Sequence, residues 1–136
     1  MSQAVLLDTH ALLWHMFARQ RLGVAARAAF DHTDIGQAHI TIPVLVLAET
    51  IQIVQKSRLP GATVPQLLAH VRLLQQSLNY TLLELVPDTV IASHTMTAIP
   101  DIFDRLIVAE AQRLRLPLIT RDATISAAGG VPVVWD

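Results

Sequence analysis

Four carboxylates in this 136-residue chain stand where a side chain could do chemistry: Asp8, Glu49, Asp104 and Asp122. Asp8 ends a wholly apolar run, Ala4 to Leu7, as expected for a central parallel strand buried on both faces. Asp104 precedes Ile107, Val108 and Ala111 at i+3, i+4 and i+7, which puts its carboxylate on the inward face of a helix. Asp122 closes the strand that follows that helix. A helix from Asp104 to Arg115 spans about 18 Å, and an extended segment from Pro117 to Asp122 about 20 Å. An antiparallel helix–strand pair of these lengths brings Asp104 and Asp122 to the carboxyl edge of a sheet, where open α/β sheets carry their sites. Glu49 shares a helical stripe with Leu45, Val46 and Ile53, and its side chain leans back toward the start of its helix at the same edge.

Like charges held together need an offset, since one pair at 4 Å costs about 4 kcal/mol at an effective dielectric of about 20. The only lysine, Lys56, lies two turns beyond Glu49, and Arg105 and Arg121 are expected to point away from their neighbouring acids. A divalent cation is the remaining candidate. All-oxygen ligands suit magnesium or manganese, as one ion or two, and such ions activate water and steady the leaving oxygen of a phosphodiester.

A structural reading stands beside this one. An aspartate at a helix start is often a cap, and one after a strand often turns the chain. Glu49 resists that reading, because a carboxylate on an apolar helical face is costly without a cation. Asp101 is expected to be a cap or loop acid, with a peripheral ligand role as the alternative. Thr9 and Thr120 adjoin the acids and are expected to support their backbone or to hold a ligand oxygen. The six histidines show no metal-ligand spacing and read as structural or surface residues. Trp14, with Leu12, Leu13 and Phe17, reads as core or interface.

The elements that must position these residues alternate. Strands are expected at Ala4 to Leu7, His39 to Ile42, Tyr80 to Val86, Leu118 to Thr120 and Val133 to Trp135. Helices are expected from His10 to Phe17, from just after Gly23 to about Asp34, from Pro43 to Ser57, from a Thr63 cap to about Asn79, from Pro87 to about Met96 and from Asp104 to Arg115. Asp122 to Gly130 reads as a turn. Alternation of this kind implies an α/β fold in three layers, a parallel sheet of about five strands flanked by helices under right-handed crossovers.

The composition fits one domain, residues 1–136, with 52% hydrophobic and only 15% charged residues. The net charge of −1 excludes a bulk basic footprint, though not a local one. With no cysteine there is no disulfide framework and no thiol nucleophile. Apolar runs are too short to span a membrane, and the N-terminus lacks a signal pattern, so a cytoplasmic protein is expected. The apolar excess, concentrated in the two helices from Val44 to Ser57 and from Thr63 to Asn79, predicts a homodimer through that region. A partner segment across the clefts would suit the acids if it carried an arginine.

At LLDTHALLW (6 to 14), LAE (47 to 49), DIFDRLIVAEA (101 to 111) and LITRD (118 to 122) the sequence resembles the PIN-domain ribonucleases, most closely the toxin subunits of VapBC toxin–antitoxin pairs. The resemblance implies a PIN-like fold, Asp8, Glu49, Asp104 and Asp122 as the acidic metal cluster, magnesium- or manganese-dependent cleavage of RNA, dimerisation, and silencing by a cognate antitoxin. One departure stands out: AIP precedes Asp101 where many relatives carry a His-Arg pair. A catalytically silent binding module is the alternative. A metal-dependent phosphatase of the haloacid dehalogenase type fits less well, since it needs a second acid where His10 stands.

Overall fold

A computed structural model of the chain describes residues 3–136. Its five strands are β1 (Gln3–Leu7), β2 (Ala38–Pro43), β3 (Tyr80–Leu83), β4 (Leu118–Ile119) and β5 (Val133–Val134). All pairings among them are parallel, and the order across the sheet is β3-β2-β1-β4-β5. The helices are α1 (Thr9–Phe17), α2 (Val24–Asp34), α3 (Val44–Gln55), α4 (Val64–Gln76), α5 (Pro87–Ser93), α6 (Ile102–Leu114) and α7 (Ala123–Ala128), with a 3-10 turn at Arg19–Arg21. The strand order runs outward from β1 to β3, returns to β4 and continues to β5. Right-handed crossovers then put α1 to α4 on one face and α5 to α7 on the other, which gives the three layers. Among the described residues, no helix is long and apolar enough to cross a membrane.

The centre of the sheet is dry. Leu6, Leu7, Ile40, Ile42, Leu118 and Ile119 are fully buried, and the helices close over them with Leu12, Leu13, Phe30, Leu67, Ile107 and Ile125. His15 of α1 is half-buried, its ring stacked on Phe30 at 3.9 Å; burial lowers its pKa to about 4, so it sits there uncharged. Thr63 caps α4 as expected, in a capping box with Gln66.

Several boundaries depart from the sequence expectation, each for a local reason. Pro43 is the last residue of β2, in register with Leu83, rather than the first residue of a helix; its ψ of 136° is extended. Because β2 stops there, β3 has nothing to pair with beyond Leu83 and ends short of Val86. α3 ends at Gln55 because Ser57 turns left-handed at φ 54°, and α4 ends at Gln76 because Ser77 is extended. α6 begins at Ile102, two residues before Asp104, since the Asp101 side chain accepts from the N–H groups of Phe103 and Asp104. The segment expected as a turn after Asp122 contains α7, started by the Asp122 carboxylate on the Ile125 N–H at 2.9 Å.

Candidate active site

The sequence folds so that four strand-to-helix or loop-to-helix junctions open on one cleft. It has a volume of about 380 Å³, and Asp8, Glu49, Asp101, Asp104 and Asp122 all line it. Three of these acids are caps. Asp8 accepts from the Ala11 N–H at 3.0 Å and starts α1, Asp101 starts α6, and Asp122 starts α7. The structural reading of these three aspartates is therefore correct, and it does not remove them from the cleft.

Asp8 is buried against β4, where the Thr120 hydroxyl donates to its Oδ2. Burial is the main cause that raises its pKa, opposed by the Thr120 and Ala11 hydrogen bonds. Thr120 also accepts from the Asp122 N–H at 3.0 Å, so one buried hydroxyl ties the ends of β1 and β4 together. Thr9 donates to Glu49 Oε1 at 2.7 Å, joining α1 to α3. Glu49 is half-buried, and its pKa is raised by burial first and by Asp101 and Asp8 as well, against the Thr9 hydrogen bond and His10.

Asp104 differs from the rest. It sits in the first turn of α6 behind the Asp101 cap, half-buried, and its carboxyl is pushed up to about 7. Burial is the largest cause, and the charged groups that act on it most are the acids Asp101, Asp122, Glu49 and Asp8. Among the described residues nothing donates to its carboxylate, and no arginine or lysine forms an ion pair with any acid of the cleft; the one ion pair is the surface pair Arg19–Asp31 at 3.1 Å. Oε2 of Glu49 and Oδ2 of Asp122 are also left open by the hydrogen bonds of their partner oxygens. In chemistry, this all-oxygen set fits a hard divalent cation. In geometry the set is loose: among the described residues, no three acidic or histidine side chains are gathered tightly enough to close on one ion.

The profile of the family described as the PIN domain matches residues 5–131. The chain belongs to the PIN-domain family. The fold of this PIN domain is similar to that of VapBC2 from Rickettsia felis bound to a DNA fragment from its promoter, with a TM-score of 0.74, 14% identity, and coverage of 98% of this chain and 100% of that one. It is likewise similar to DNA-bound VapBC from Salmonella typhimurium, with a TM-score of 0.69 and 16% identity over 98% and 97% of the two chains. A third similar structure is the sarcin-ricin loop cleaving toxin VapC20 of Mycobacterium tuberculosis, with a TM-score of 0.66 and 17% identity over 96% and 98%. No curated protein matches the sequence.

Sequence reasoning missed part of this PIN domain's cleft wall. His10, Trp14, Arg121 and Trp135 line the cleft with the acids. Trp14 belongs to the core, as expected, but one edge of it reaches the site. Arg121 was expected to point away. It makes no ion pair with the acids, yet its guanidinium lies 5.6 Å from the Trp14 ring centre and so remains beside them. The stacking partner that holds it there comes from α1, remote in sequence, which is why strand geometry alone misplaced it. Arg105 does turn away, donating to the Ile99 carbonyl.

Proposed function

We propose that this PIN domain is a divalent-metal-dependent ribonuclease that hydrolyses RNA phosphodiester bonds, with Asp8, Glu49, Asp104 and Asp122 as the magnesium or manganese ligands. The observation that carries the reading is Asp104, a half-buried carboxylate without a donor whose strongest charged neighbours are all acids. A fold does not keep such a group for stability. Family membership and the likeness to a toxin described as cleaving the sarcin-ricin loop support the substrate class.

The bound ion would supply a water activated near neutral pH and charge to steady the leaving oxygen. This chain's own residues orient the ligands. Thr120 fixes Asp8 and Thr9 fixes Glu49, so each carboxylate presents its remaining lone pairs to the cleft. Asp101 holds the first turn of α6 and with it the position of Asp104. Its role here is positioning, and an asparagine would serve the same N–H groups. The likeness to VapBC complexes supports a place as the toxin of a type II pair, in the cytoplasm, with an antitoxin protein as partner.

The purified chain should cut structured RNA in magnesium or manganese and stop in EDTA, and Asp8→Asn or Asp104→Asn should lower the rate at least about a hundredfold, whereas Asp101→Asn should retain a substantial part. Cutting that survives EDTA undiminished would rule out the metal mechanism. Folded protein that cuts nothing in either metal would favour a silent binding module.

A further inference from the structure

The five acids of the cleft repel a polyanion, so a ribonuclease built around them needs a place nearby where an RNA strand is attracted. Two guanidiniums meet that need. Arg21, from the 3-10 turn before α2, and Arg121, two residues past the end of β4, lie 5.7 and 5.6 Å from the centre of the same Trp14 indole, within cation–π range. Neither forms an ion pair among the described residues, and both are exposed. Trp14 is itself buried and braced edge-on by Trp135 at 5.7 Å, so the ledge on which the two arginines rest is fixed.

The recesses around this ledge share lining residues. Arg121, Trp14 and Trp135 line the acidic cleft, Arg21, Arg121 and Trp135 line a second recess beside it, and Arg21 shares a third with His10 and Arg58. Asp136 is the acid in the second recess and is paired with neither arginine. The net charge of −1 therefore conceals a local cationic ledge along one side of the acids.

Resting on the ribonuclease reading above, we propose that Arg21 and Arg121, held over Trp14, form a phosphate subsite that takes the RNA backbone beside the scissile linkage. An arginine stacked on an aromatic ring keeps its N–H fork free and pre-oriented, which suits the bidentate recognition of a phosphodiester. Trp14 is too buried to stack a base, so the subsite reads backbone and not sequence.

The test is binding of a short fluorescein-labelled random-sequence RNA, followed by anisotropy over a salt series. It is done in an Asp104→Asn background, so that nothing is cut. Arg21→Gln and Arg121→Gln should each weaken binding about tenfold, and each should make the salt dependence shallower by about 0.7 in log–log slope. Arg115→Gln, at the opposite end of α6 from Asp104, should change neither, and thermal melts should show all the variants folded. Binding and slope equal to the parent in both cleft variants would overturn the subsite, as would unchanged RNA binding alongside lost capture of an acidic protein segment. A parent that binds RNA while its variants match it removes only this inference. An unmutated chain that neither binds nor cuts RNA removes the ribonuclease reading together with it.

Discussion

Replacing Asp104 with asparagine should make the metal-free protein more stable, although it should abolish activity. The carboxyl rises from its ordinary 3.8 to about 7 in the folded chain, which at about 1.4 kcal/mol per pH unit sets an upper bound of about 4 kcal/mol. Asp104 is only half-buried, so solvent screening reduces this to about 1–2 kcal/mol. For a domain of this size that is a gain of about 3–8 °C in Tm. The sign follows from linkage. An acid whose folded pKa is raised leaves the fold unburdened below its unfolded value near 3.8, and the fold loses stability as pH climbs through the folded value near 7. The wild-type Tm in EDTA should therefore fall between about pH 4 and pH 8 more steeply than that of Asp104→Asn, with the gap widest at the alkaline end. Magnesium should raise the wild-type Tm by mass action and the variant's much less. Scanning calorimetry across pH, with and without metal, reads all three effects. A variant that melts lower than wild type in EDTA at pH 8 would refute the reasoning, because Asp104 would then be held by a favourable contact.

Glu110, in α6, is fully buried with both carboxylate oxygens unpaired, and burial raises its pKa to about 7 against the opposing Arg113. By the same sign, Glu110→Gln should stabilise the fold by about 1–2 kcal/mol at pH 8 and by little at pH 5, which chemical denaturation at the two pH values will show. A Cβ on Gly23 would stand 2.2 Å from the Trp135 carbonyl oxygen, whose partner is the Ala26 N–H at 3.0 Å. Because the obstacle is backbone, Gly23→Ala should cost about 2–3 kcal/mol, measured by urea denaturation; a neutral result would mean that the segment after β5 gives way freely. Self-association should show as a dimer mass by light scattering at micromolar concentration, driven by α4, where Leu68 and Leu73 lie 42% and 65% exposed along one groove. Leu73→Glu should return the particle to a monomer.

The parallel sheet was legible because its signals are local and repeated. β1 read directly from its apolar run, and α4 from its Thr63 cap and leucine stripe. What sequence left blurred were boundaries set by a neighbour. β3 ends where β2 stops offering hydrogen bonds, and no residue within β3 announces that. α7 is six residues of mixed polarity, too short for periodicity to register, and the Asp122 cap alone marks it. At the site, the acids were legible because their sequence context was costly or terminal. The cationic wall was not, since Arg21, Trp14 and Arg121 come from three separate segments and meet only through stacking. Exposed apolar side chains at Val90 and Ile91 on α5 and at Ile102 and Phe103 on α6 also went unanticipated, the last two because the helix was expected to start only at Asp104.

The cleft shows why caps and candidate ligands coincide in a sheet of this kind. Where a parallel strand ends and the next helix begins, the chain needs an acceptor for the first free N–H groups, and the helix dipole favours that acceptor negative. Asp8 and Asp122 meet this need at the ends of β1 and β4, neighbours in the sheet, so capping alone brings two carboxylates to one edge. Each spends part of its hydrogen-bonding capacity on the cap and keeps the rest for the cleft. Asp104 and Glu49 have no cap to serve, and on each of them burial is aggravated by more than one surrounding acid, against one for Asp8. The caps therefore gather carboxylates at one edge at little cost to the fold, and on the proposed reading the two remaining acids are what a cation there would offset. Asparagine caps as well as aspartate, so Asp8→Asn and Asp122→Asn should keep their helix starts and lose only the favourable charge at the dipole, which leaves both variants folded for the activity test.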